Sequence, residues 1–195
     1  MSLPLFPLNT LLFPGCVLDL QIFEPRYLAM LSACLKQGSG FGVVGILDGQ
    51  EVGQAARFAD LGCEALVRDW QQLPNGLLGV RVEGGRRFRV EQSEVQANQL
   101  IQAEVSWLSE EQEQPLLAEQ MDLLGLLNIL AEHPRMAGLG LGGDLAGQQA
   151  LSYQLAYLLP LALAEKLELL GLSDPCARLE RIETLLRRLQ SELLA

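Results

Sequence analysis

The hydrophobic pattern of this chain changes its period once, near Ser109, and that change limits the folds open to it. Before it, short apolar runs are cut by proline and glycine; after it, leucines recur at helical spacing. A run of strands followed by a run of helices gives an α+β fold or two separate domains, not an alternating βαβ sheet. The expected division is a strand-rich part at 1–108, a polar connection at 109–115 and a helical part at 116–195.

Within the first part, Pro4 and Pro7 keep residues 3–8 extended, because the residue before a proline is pushed out of the helical region. Residues 16–23 alternate like a strand. Pro25 fits the first position of a helix that runs to Gln37, with Tyr27, Leu28, Leu31, Cys34 and Leu35 on one stripe and Gly38 as its stop. Further strands are expected at 41–47, 53–70, 77–82, 86–90 and 100–108. Pro74-Asn75-Gly76 and Gly84-Gly85 read as the turns among them. Short strands at this spacing suit an antiparallel barrel or curled sheet. In the second part, helices are expected at 116–132, 148–159 and 160–170, with a last one opened by Asp174-Pro175. That last helix carries Leu179, Ile182, Leu185, Leu186, Leu189 and Leu193 as its stripe, with Arg178, Arg181, Arg187 and Arg188 placed outside it.

Charge and motif spacing exclude several chemistries. The net charge is -10, with -3 in residues 1–108 and -7 in 109–195. An acidic chain is a poor ligand for nucleic acid or an anionic membrane surface. The four cysteines show no C-x-x-C spacing, and His133 is the only histidine, so no metal site is expected. Buried reduced thiols suit a reducing compartment. The N-terminus has no basic residue before Arg26 and is broken by prolines, so it does not read as a signal peptide, and no apolar run is long enough to span a bilayer. A soluble, cytoplasmic protein is expected.

Gly138-Leu139-Gly140-Leu141-Gly142-Gly143 fits G-x-G-x-x-G, but it follows a helix rather than a strand and reads as an interhelical loop. Neither Lys36 nor Lys166 stands in a phosphate-binding loop, and no serine sits in a G-x-S-x-G elbow. The acidic pair Glu110-Glu111 reads as a solvated charge run. No catalytic residue, cofactor or nucleotide site is therefore expected. The basic cluster Arg86-Arg87-Phe88-Arg89 could contact an anionic group of a partner or pair with acids on the sheet.

Two stretches carry a resemblance. Leu3-Pro4-Leu5-Phe6-Pro7-Leu8-Asn9, Leu12-Phe13-Pro14-Gly15 and Leu20-Gln21-Ile22-Phe23-Glu24-Pro25-Arg26-Tyr27 resemble the opening of the N-terminal domain of Lon proteases, shared with cereblon. Leu158-Leu159-Pro160-Leu161, Glu165 to Leu170 and Arg178 to Ile182 resemble its helical end, and Gly84 to Val90 its G-x-x-R-F strand, with Arg87 and Phe88 at the R-F. The glycine-rich loop at 136–147 matches no motif of that family. The resemblance implies a PUA-like antiparallel β pseudo-barrel with one inserted helix, followed by an α-helical bundle. It also implies binding of unfolded polypeptide or a protein partner, in a stand-alone bacterial chain without the ATPase and protease domains. The candidate contacts are Phe13, Pro14, Phe23 and Tyr27 near the N-terminal motif, with Arg86 and Arg87 on the basic strand. The alternatives are a hydrolase or peptidase acting alone and an RNA-binding PUA-like module.

Overall fold

The computed structural model describes residues 1–109, 112–136 and 138–193. Glu110 and Glu111 lie outside the described residues, as do Ala137 of the glycine-rich loop and the side chain of Leu193. The chain forms two compact units, Met1–Leu108 and Ser109–Ala195. It is mixed α+β, with six strands in one sheet and five α-helices among the described residues.

The first unit holds β1 (Ser2–Leu8), β2 (Val17–Ile22), α1 (Pro25–Gln37), β3 (Phe41–Asp48), β4 (Arg57–Gln72), β5 (Leu78–Val95) and β6 (Ile101–Trp107). The strand order is β2-β5-β4-β3-β1-β6, and β5 also pairs with β6. Five strands therefore close on themselves, while residues 66–72 of β4 pair with β5 alone. The first half of β5 lies between β2 and β4 and its second half between β4 and β6. All pairings are antiparallel except β1 with β3. That exception corrects the all-antiparallel expectation: β2 and α1 intervene between β1 and β3, and a connection of that length can return the chain in the same direction. Alternate residues of β1 enter two apolar clusters. Phe6 joins Leu12, Ile22, Tyr27, Leu31 and Phe41, while Leu5 joins Val44, Phe88, Ile101 and Val105.

Three local readings differ. Residues 53–56 are not strand, and β4 is one strand from Arg57. Gly84 and Gly85 are no turn, since β5 runs straight through them; Gly84 instead lets the 13–16 segment lie against the strand. The buried face of α1 is Tyr27, Met30, Leu31 and Cys34, and Leu28 and Leu35 face outward. The expected helix ends hold for α1: Pro25 stands in the first turn and Gly38 closes it in the left-handed conformation at φ 63°.

The second unit holds α2 (Met121–Ala131), α3 (Gln148–Leu158), α4 (Leu163–Gly171) and α5 (Pro175–Leu193). α2 starts later than expected, because Leu117 is extended and a 3₁₀ turn at Ala118–Gln120 precedes it. α4 also starts late: the Glu165 carboxylate accepts the Ala162 N–H at 2.9 Å and fixes the first turn there. Asp174 accepts the Cys176 N–H at 2.9 Å and caps α5. Residues 113–115 are tied to the start of α3, where Glu113 accepts the Gln149 N–H at 2.8 Å and Gln114 accepts that of Gln148 at 2.8 Å. Arg178, expected outside the α5 stripe, is fully buried.

Candidate functional site at the β2–α1 corner

β2 pairs with β5 on one side only, and its alternation sends Leu20 and Ile22 inward and Asp19 and Gln21 outward. The next outward position is Phe23, which is 51% exposed. Glu24 is extended at ψ 132°, and Pro25 then starts α1 with its φ already set for a helix. The corner is held by charge. The Glu24 carboxylate takes the Arg26 guanidinium at 3.0 Å and the Gly53 N–H at 3.4 Å. Arg26, itself buried, donates to the Gln99 carbonyl at 2.9 Å. The Glu51 carboxylate accepts the Asn9 N–H at 2.7 Å. The 49–56 loop is thus tied down over the corner.

These contacts enclose a cavity of about 50 Å³ lined by Phe6, Ile22, Phe23, Tyr27, Val52 and the two carboxylates of Glu24 and Glu51, with Gln21 at its side. Its floor is aromatic: the Phe6 and Tyr27 ring centroids lie 4.1 Å apart, and the Arg26 guanidinium sits 4.6 Å from the Tyr27 ring. Val52, 52% exposed, stands on the rim with Phe23. An apolar floor with an acidic rim takes one apolar side chain beside a donor or a cation. Burial pushes the Tyr27 phenol up to about 12, with Glu24 and Glu51 adding to the rise and Arg26 opposing it. The unfolded chain releases this proton near the ordinary value of about 10, so stability falls as pH rises from there towards 12. Absorbance titration should show a tyrosine step near 12 that a Tyr27→Phe chain lacks.

The structure separates the expected contact residues. Phe23 is exposed and Pro14 is half-buried in a bridge to Gly84. Phe13 is wholly buried in the core, while Tyr27, 5% exposed, shows only at the floor of the corner cavity. Arg87 is buried as well, whereas Arg89, which alternation puts on the same face, is exposed. Arg86 is exposed, pairs with Glu64 at 3.3 Å and stacks 3.8 Å from the Trp107 ring. Arg89 pairs with Asp60. Glu51 and Val52 went unnoticed in the sequence, since an acid and a valine after the Asp48-Gly49 turn carry no periodicity.

A larger groove of about 280 Å³ runs beside Asp19, Gln21, Trp70, Leu73, Gly79 and Arg81. Its Asp19 and Arg81 satisfy each other through two bonds of 2.7 and 2.8 Å. Among the described residues, no three His, Cys, Asp or Glu side chains are placed to hold a metal, and no helix is long and apolar enough to cross a membrane.

Residues 2–188 match the family model of the ATP-dependent protease La (LON) substrate-binding domain. The chain is 31% identical over 194 residues to Lon protease 4 of Sorangium cellulosum (strain So ce56), a match covering 94% of this chain and 23% of that protein. The chain thus spans under a quarter of the length of the curated relative it matches. Among solved structures, the crystal structure of a Lon N-terminal domain protein from Xanthomonas campestris is similar with a TM-score of 0.75 and 37% identity, covering 94% of this chain and 98% of that one. The N-terminal domain of Mycobacterium avium complex Lon protease, 19% identical, shares the fold with a TM-score of 0.64 over 93% of this chain and 96% of its own.

Proposed function

We propose that this chain, which belongs to the LON substrate-binding domain family, is a non-catalytic cytoplasmic module that binds extended polypeptide at the β2–α1 corner. The observation that carries the reading is the pair Phe23 and Val52, both half-exposed, above a floor of buried aromatic rings. A chain lying along the unpaired side of β2 gains backbone hydrogen bonds and places a side chain in the corner cavity. The acidic rim favours a segment that carries a lysine or arginine next to the apolar anchor. In this reading the five closed strands with β2 form the PUA-like pseudo-barrel at 1–108, and α2 to α5 form the bundle at 116–195. The Lys166 ammonium donates to the Tyr157 carbonyl at 2.8 Å. The net charge of -10 opposes a nucleic-acid partner.

The test is the affinity for a labelled, denatured model protein. Burying the exposed half of a phenylalanine contributes about 1–1.5 kcal/mol. Phe23→Ser should therefore weaken binding about tenfold, while stability stays within about 0.5 kcal/mol, as for other surface changes. Val52→Ser should act in the same direction. Unchanged affinity in both variants would remove the corner from the function.

A further inference from the structure

We propose that the outer face of α2 is a second docking surface, fitted to a basic amphipathic helix of a protein partner. α2 reads Met-Asp-Leu-Leu-Gly-Leu-Leu-Asn-Ile-Leu-Ala. Leu123 and Leu127 are buried. On the opposite face, four residues apart, stand Met121, Gly125 and Ile129, with Met121 52% and Ile129 70% exposed. A helix at a protein surface ordinarily turns charge outward there.

Gly125 is an independent observation. A Cβ built on it meets nothing within 4 Å, so no packing within the chain requires glycine. Glycine in a helix interior costs stability relative to alanine. Between two apolar side chains it leaves a notch where the backbone of a crossing helix can approach closely.

Charge selects the occupant. Glu119, Asp122 and Glu132 flank the face, all exposed, and none forms an ion pair among the described residues. Residues 109–147 carry seven acids against Arg135 alone. A second copy would bring the same acids against these, whereas a helix with lysine or arginine beside its apolar seam would match them.

The probe is a labelled helical peptide with a leucine seam flanked by lysines, compared with a twin carrying glutamates at the flanks. The lysine peptide should bind, more weakly as salt is raised, and the glutamate twin should not. Ile129→Gln should weaken the lysine peptide at least tenfold. Gly125→Ala should raise the melting temperature by about 2–4 °C and still weaken the peptide severalfold, a combination that a purely structural glycine does not produce. Phe23→Ser should leave this binding unchanged, which separates the proposal from the corner reading. Equal binding of the two peptides, or full binding by the Ile129→Gln chain, would overturn it. So would sedimentation showing a dimer of the free chain that Ile129→Gln dissolves, since the occupant would then be a second copy.

Discussion

Arg178→Leu should lower the stability of the helical unit by about 3–5 kcal/mol, the scale for removing one partner of a buried charged network. The side chain is wholly buried in α5. It donates to the Leu169 carbonyl at 3.0 Å and the Leu172 carbonyl at 2.5 Å, both at the end of α4. It also reaches α3, at the Ser152 hydroxyl (2.8 Å) and the Tyr153 hydroxyl (3.3 Å), and its guanidinium lies 3.9 Å from the Tyr153 ring. One planar cation thus satisfies the last carbonyls of one helix and joins it to two others. Leucine would leave those acceptors buried without donors. Lysine should recover little, because a single ammonium cannot point along all four directions. Both tryptophans, Trp70 and Trp107, lie in the first unit, so tryptophan fluorescence follows that unit while the 222 nm circular dichroism signal is dominated by the helices. Urea unfolding should show the loss in the helical signal. A cost below about 1 kcal/mol would mean that the three helices are joined by their leucines alone.

Arg178 also shows where sequence reasoning stopped. It stands four residues before Ile182 and seven before Leu185, so its position put it on the buried stripe. Its charge alone points to the surface, and burial of a charge needs the partners that only the fold supplies. The helix boundaries were legible wherever a cap names itself, as at Pro25, Gly38 and Asp174. They slipped by a few residues where the start depends on a carboxylate three residues on, as Glu165 does for α4. The change from strands to helices was plain from periodicity. The closure of the sheet was not, because pairing of β5 with β6 is a long-range choice that no local pattern encodes.

The corner was legible in part for the same reason. Alternation along β2 already put Phe23 on the outward side with Asp19 and Gln21, and it is the exposed aromatic of the motif. Tyr27 lies on a helix whose buried face is centred one residue away from the expected stripe, enough to turn Leu28 and Leu35 out and Met30 in. Phe13, expected as a contact residue, precedes a proline and a glycine and lies outside the named strands. Its burial follows from a contact with a strand that lies seventy residues further on, at Gly84.

That contact makes Gly84→Ala the most damaging small substitution in the first unit, with an expected cost of about 3 kcal/mol or more. The backbone there is not left-handed, so the requirement is space. A Cβ on Gly84 would lie 2.0 Å from the Phe13 carbonyl oxygen, 2.7 Å from its carbon and 3.2 Å from the Pro14 Cα. These are backbone atoms that cannot rotate away. They are also held in place: Gly84 donates to the Cys16 carbonyl at 2.9 Å and accepts from the Gly15 N–H at 2.8 Å. A methyl group would break both bonds and lever Phe13 and Cys16, each fully buried, out of the core. Gly84, Arg87 and Phe88 are the fixed positions of the G-x-x-R-F pattern, and all three are buried. The pattern therefore records how the 13–16 segment is clamped to β5. Gly85→Ala is the matched control, since its Cβ would meet only the ends of the Glu64 and Leu66 side chains, at 3.0 and 3.3 Å, which can move aside. Thermal and urea unfolding should show Gly84→Ala far below the parent chain and Gly85→Ala within about 1 kcal/mol of it. Equal effects of the two would mean that the segment yields as easily as a side chain does, and the clamp would not be what places Phe13 in the core.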